Sequence, residues 1–75
     1  MAETALDLSG LKCPLPALKT RKALTKLAPG DELVVECTDP LSSIDIPNLL
    51  RETGDQLLAS ERAGESRFVF RIRKA

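Results

Sequence analysis

Histidine, tryptophan and tyrosine are absent from this 75-residue chain, which holds only two phenylalanines, two cysteines and one methionine. Without an imidazole there can be no Cys–His or Ser–His nucleophile pair. Two cysteines without histidine also fall short of a usual four-ligand zinc site, so neither a metal nor a cofactor is expected. Nor can two cysteines build the multi-disulfide framework of a small secreted scaffold. Charge of one sign is lacking too. Lysine plus arginine and aspartate plus glutamate number eleven each, so no global excess points to nucleic acid or a membrane. No apolar run approaches the roughly 20 residues of a membrane helix. The opening MAETALDLSG has neither a basic start nor an apolar core, so no signal peptide is expected. The expected location is the cytoplasm, where thiols stay reduced.

What is present is enough for one domain spanning residues 1–75, because a chain this short cannot divide its apolar residues between two cores. A chain of this size buries only about 60% of the surface its unfolded form exposes. A deep pocket for a large substrate is therefore not expected, and function belongs at the surface, against another macromolecule.

Periodicity supplies six elements. Thr4 to Leu8 alternates as a short strand broken by Ser9 and Gly10. A helix fits Pro14 to about Leu27, closed by Pro29-Gly30. Glu32 to Cys37 is a strand with Leu33, Val35 and Cys37 on one face. A second helix is predicted from about Asp45 to Thr53, with Pro47 in its tolerant first turn and Gly54 as its stop. Leu57 to Glu61 and Arg67 to Arg73 form a hairpin around Ala63-Gly64-Glu65-Ser66. Phe68, Phe70 and Ile72 should face the core, with Arg67, Arg71 and Arg73 facing away. The order βαβαββ predicts an α/β two-layer sandwich: a four-stranded mixed sheet with both helices on one face.

The motif that carries chemistry is LKCPLP, Leu11 to Pro16. Pro14 suits the first helical position and makes Cys13 the N-cap. A thiolate there feels the positive end of the helix dipole. Pro16 removes a second free amide donor, so the expected lowering of the thiol pKa is moderate, which keeps the sulfur nucleophilic. Around a helical wheel, Ala17, Ala23, Leu24, Leu27 and Ala28 form an apolar arc. Leu15, Lys19, Lys22 and Lys26 lie opposite, an exposed leucine beside the thiol continued by a basic stripe. Such a stripe is either a docking surface or a solvated helix face. Lys12, Leu15, Lys19 and Lys22 are the candidate partner contacts.

LDLSGLKCPLP, followed by LAPGDELVV, TDP, DIP and a glycine after the second helix, resembles the TusA/SirA/YedF family of small sulfur-carrier proteins. The resemblance runs from Leu6 to Ile72 and is most specific at Cys13-Pro14-Leu15-Pro16, with Gly10 before it. It implies a βαβαββ sandwich and a persulfide on Cys13, with Gly10, Pro14 and Pro16 setting the geometry. It implies a sulfur-donor protein, a cysteine desulfurase or a rhodanese-type protein, and an acceptor protein with a reactive cysteine. The relay would serve transfer-RNA thiolation, molybdenum-cofactor assembly or sulfur oxidation. Such a protein is a persulfide carrier of sulfurtransferase type rather than a turnover enzyme, and a monomer is expected. Many members carry histidine after the glycine that ends the second helix, where this chain has Asp55. An aromatic residue is frequent after Asp-Ile-Pro, where this chain has Asn48, Leu49 and Leu50.

Other readings compete. Cys37 could act as a resolving thiol, although its alternation with Leu33 and Val35 favours inward packing. Asp39 and Asp45 suit turn formation and helix capping better than acid–base work. The alternative function is a non-catalytic nucleic-acid-binding or regulatory interaction module. Arg67, Arg71, Arg73 and Lys74 would line an open sheet face, but no aromatic stacking platform accompanies them.

Overall fold

Alternating burial along two segments builds the centre of the sheet. In the computed structural model, which describes residues 3–12 and 15–75, six elements follow one another: β1 (Glu3–Leu8), α1 (Leu15–Thr25), β2 (Glu32–Cys37), α2 (Ser42–Thr53), β3 (Gln56–Arg62) and β4 (Phe68–Arg73). Along β2 the side chains of Leu33, Val35 and Cys37 are fully buried, while those between them are half-buried. The β-branched and apolar alternation of ELVVEC suits a pleated strand with one face in the core.

The strand order is β1-β2-β4-β3. β1 and β2 are parallel, with Leu8 opposite Cys37. β2–β4 and β3–β4 are antiparallel, and an irregularity between Leu57 and Ala59 shifts the last register. Leu24 of α1 and Ile46 and Leu50 of α2 pack with Leu8, Leu33, Val35, Cys37, Phe70 and Ile72 into one core. Full burial of each such side chain contributes about 1.5–3 kcal/mol before the entropy of ordering it is subtracted. Both helices therefore cover the same sheet face, as the element order predicts.

Four details depart from the sequence reading, each for a local reason. α1 ends at Thr25 rather than Leu27, because Lys26 and Leu27 donate to Ala23 and Leu24, three residues back, tightening the last turn. α2 starts at Ser42, three residues before the predicted Asp45. Asp39 and Pro40 organise that start: Asp39 Oδ1 accepts the Leu41 N–H, and the Ser42 and Ser43 hydroxyls donate to the Asp39 and Pro40 carbonyls. Pro47 consequently lies inside the helix rather than in its first turn, and its missing N–H forgoes the bond four residues back. The buried seam of α1 is Pro16, Thr20 and Leu24; Ala17, Ala23 and Leu27 flank it and Ala28 is exposed. A polar residue at the centre of that seam hid its true position.

Two finishing features match expectation. Gly54 adopts φ +82° and donates its N–H to the Leu50 carbonyl at 2.9 Å, the left-handed cap that stops α2. On the open sheet face, Arg67 pairs with Glu36, Arg71 with Glu3 and Glu32, and Arg73 with Glu32. The arginines do face away from the core. They are, however, matched by carboxylates of neighbouring strands, so the basic stripe needed for a nucleic-acid module is neutralised where it stands.

Candidate functional site

Because β1 and β2 are parallel and each leads directly into a helix, α1 and α2 begin at the same edge of the sheet. The connecting segments, Ser9–Lys12 and Thr38–Leu41, lie side by side there. Gly10 makes the first segment possible. It sits at φ +83°, a conformation that disfavours other residues, and donates its N–H to Thr38 Oγ1 at 2.8 Å. The Leu11 N–H donates to the Leu8 carbonyl at 3.2 Å, and the Leu11 side chain packs against the core. Asp7 completes the turn. Its Oδ1 accepts both the N–H and the hydroxyl of Ser9, and these bonds hold its carboxyl below the ordinary carboxylate range.

Cys13 and Pro14, with the predicted N-cap and first helical position, lie outside the described residues. Lys12 is exposed, and its carbonyl accepts the Leu15 N–H at 2.9 Å. Pro16, in the first turn of α1, has a fully buried side chain. It thus anchors the helix start in the core as well as lacking a donor that a first turn does not need. Leu15 is 43% exposed. Lys19 and Lys22 continue its stripe as exposed residues, and neither they nor Lys12 forms an ion pair among the described residues. Leu15, Lys19 and Lys22 thus lie exposed along α1, with Lys22 in its last turn, while Lys12 lines a groove facing Thr38–Leu41.

A shallow groove of about 470 Å³ runs between the two connecting segments, lined by Gly10, Leu11, Lys12, Thr38, Asp39, Pro40 and Leu41. A second groove, of about 340 Å³, separates the helices and is lined by Ala17, Leu18, Arg21, Asp45, Asn48, Leu49 and Glu52. An ion pair between Arg21 and Glu52 at 3.0 Å spans it.

Cys37 lies beneath this edge with no exposed surface. Burial pushes its thiol above the ordinary value, with Asp39 and Glu36 adding to the rise and a hydrogen bond with Ser42 opposing it. A thiol so enclosed is a packing residue and a poor nucleophile, which runs against the resolving role. Asp39 serves the turn into α2, and Asp45 stands in the helix's first turn, where the dipole favours a carboxylate.

Several residues of this edge escaped the sequence reading. Thr38, which fixes Gly10, carries no local signal beyond its place before Asp39-Pro40. Leu18, Leu41 and Ile44 are 57%, 53% and 58% exposed, yet large apolar residues are assigned to cores by default. No helix among the described residues is long and apolar enough to cross a membrane.

Comparison with known proteins agrees with this geometry. The sequence profile of the family described as Sulfurtransferase TusA matches residues 4–74. The sulfur carrier protein TusA of Allochromatium vinosum is 41% identical over 70 residues, covering 93% of this chain and 91% of that protein. The crystal structure of a SirA-like protein from Desulfitobacterium hafniense superposes with a TM-score of 0.82 at 21% identity, covering 93% of this chain and 95% of the other, which establishes the common fold. With its sheet order, its Cys13-Pro14-Leu15-Pro16 motif and a family match over nearly its whole length, the chain belongs to the TusA family of sulfur carriers.

Proposed function

We propose that this one-domain protein carries sulfane sulfur as a persulfide on Cys13 and passes it to the thiol of an acceptor protein. The Cys13 thiolate attacks the outer sulfur of a donor persulfide; the donor's S–S bond breaks and its own thiolate leaves. In the onward step an acceptor thiolate attacks the outer sulfur on Cys13, regenerating the Cys13 thiolate. Each exchange is a displacement at sulfur that conserves electrons and needs no oxidant, metal or cofactor.

The observation that supports this reading best is the placement of the motif's neighbours. Lys12 and Leu15 are exposed and tied to each other, and Gly10 and Pro16 fasten the segment on both sides. A sulfur that visiting proteins must reach belongs on such a fixed, open edge. The positive end of α1 favours the thiolate, and Pro14 and Pro16 limit its amide donors so that nucleophilicity is retained. Lys12, Leu15, Lys19 and Lys22 contact the partners. The donor is a cysteine desulfurase or a rhodanese-type protein, and the acceptor feeds transfer-RNA thiolation, molybdenum-cofactor assembly or sulfur oxidation. The protein acts in the cytoplasm as a monomer, without binding nucleic acid or membrane.

Incubation of the reduced protein with a cysteine desulfurase and cysteine, followed by intact-mass measurement, tests the proposal. Wild type and Cys37→Ala should gain one sulfur atom and Cys13→Ala none. Failure with that donor and with a rhodanese-type donor alike would refute the persulfide reading.

A further inference from the structure

Two buried side-chain oxygens, Thr20 Oγ1 and Asp55 Oδ2, have no hydrogen-bond partner among the described residues. Thr20 belongs to the buried seam of α1. Asp55 differs, because it lines a surface cavity of about 300 Å³. Its other oxygen, Oδ1, accepts the Ala75 N–H at 2.9 Å and lies 3.9 Å from Lys74 Nζ. Enclosed carboxylates ordinarily have both oxygens answered by donors, so a bare one calls for an explanation. The cavity beside it is the route by which a donor can arrive.

The remaining walls define what that donor belongs to. Pro47, Leu50 and Leu57 make the lining apolar, and Arg51 adds a cation. Arg51 is exposed, in the last turn of α2, and has no partner among the described residues. The other arginines are engaged. Arg21, Arg67, Arg71 and Arg73 face carboxylates, and Arg62 donates to the Gly64 and Glu65 carbonyls. The site also has a polarity. Asp55 directly follows the Gly54 cap, at the negative end of the α2 dipole. Helix end and carboxylate therefore draw the same kind of group, a cation, while Arg51 draws an anion. One molecule that carries both charges and an apolar body meets all three demands.

We propose that this cavity binds a small α-amino acid with an apolar side chain. Its ammonium donates to Asp55 Oδ2, its carboxylate pairs with Arg51, and its side chain lies against Pro47, Leu50 and Leu57. The volume falls at the lower end for ligand pockets, which suits a ligand of this size. With an exposed arginine and a small apolar body, the dissociation constant should be about 1 mM. The site lies away from the motif. Gln56 begins β3 opposite Arg73, in the row of the sheet that holds Glu32, whereas Leu8 and Cys37 mark the other end. Occupancy is thus independent of sulfur exchange.

The test titrates isotope-labelled protein with L-leucine and follows its backbone amides by NMR. Two probes each lack one charge: isocaproate has no ammonium and isoamylamine no carboxylate. L-Leucine should shift the amides of Leu50, Arg51, Gly54, Asp55 and Leu57 with one common dissociation constant, leaving Gly10, Leu11 and Thr38 unmoved. Isocaproate should bind about tenfold more weakly and isoamylamine about fivefold more weakly. Arg51→Gln should weaken L-leucine about fivefold and leave isoamylamine unchanged. Asp55→Asn should weaken L-leucine about tenfold and leave isocaproate unchanged. Should Asp55→Asn fail to fold, Arg51→Gln and the two probes still decide, since Arg51 is exposed. No saturable shift with L-leucine up to about 50 mM would overturn the proposal. Shifts that fall outside the cavity would overturn it too, as would probes that bind as tightly as L-leucine.

Discussion

At the edge where α1 and α2 end, polar groups close the molecule on itself. The Asp55 side chain is 1% exposed, its Oδ1 accepts the Ala75 N–H at 2.9 Å, and Lys74 Nζ lies 3.9 Å away. The Gly30 N–H donates to the Lys74 carbonyl, and the Lys74 N–H donates to the Asp31 carbonyl, both at 2.8 Å. Gly54 caps α2 beside them. At the opposite edge, where the helices begin, the connecting segments are just as firmly fixed, through Gly10, Thr38 and Asp39. Yet that edge leaves Leu15, Leu18, Leu41 and Ile44 in solvent. Rigidity is common to both edges; among the described residues, large exposed apolar side chains belong to one. Under the proposed function, that difference separates the part of the fold that sustains stability from the part that partners would meet.

Substitutions at the closed edge should therefore change stability and leave sulfur uptake alone. The largest effect is expected for Asp55→Ala, which frees the Ala75 N–H and the Lys74 ammonium and should cost about 1–3 kcal/mol in urea unfolding. A loss of uptake by that variant in the folded state would break the comparison. Next comes Thr20→Val, in the layer between the edges. Thr20 is fully buried and its hydroxyl oxygen has no partner among the described residues. Exchanging the hydroxyl for a methyl of the same shape should add about 1 kcal/mol, raising Tm by about 4–8 °C. Gly54→Ala should cost about 1 kcal/mol, for conformational reasons alone: a Cβ there meets nothing within 4 Å, but φ is +82°.

The smallest effects are titrations, one of opposite sign to the other. Cys37 has a folded pKa raised above the ordinary 9.0, so its contribution is complete below that pH and is lost as pH rises through the folded value. Cys37→Ala should flatten the alkaline limb of the stability profile. Asp7 has a folded pKa lowered below 3.8, so its contribution is complete above that pH and is lost as pH falls through the folded value. Ser9→Ala removes the hydroxyl bond and should move the onset of acid unfolding to slightly higher pH.

The sheet was legible in the sequence because its alternation is local: Glu32 to Cys37 carries its inward and outward faces in six consecutive residues. The face of α1 was not, since Thr20 occupies a buried position that a polar residue does not advertise. The start of α2 was read late because Asp39-Pro40 terminates β2 and organises the helix in the same few residues. The pairing of Arg67, Arg71 and Arg73 depends on glutamates of β1 and β2, more than thirty residues away along the chain, and no local pattern announces it. At the site, Cys13, Pro14 and Pro16 were conspicuous as a motif, and Leu15, Lys19 and Lys22 as one helical stripe. Leu41 and Ile44 were invisible as surface residues, because only the parallel arrangement of β1 and β2 brings the start of α2 beside the motif.

The central claim is that sulfur resides at the open edge and nowhere else. The most direct measurement is to load the wild-type protein from a cysteine desulfurase, block free thiols and persulfides with an alkylating reagent, and map sulfur by tryptic peptides. The account predicts the extra sulfur on the Cys13–Lys19 peptide and none on the peptide that contains Cys37. Sulfur on Cys37, or an unmodified Cys13 in a chain that has taken up sulfur, would contradict it.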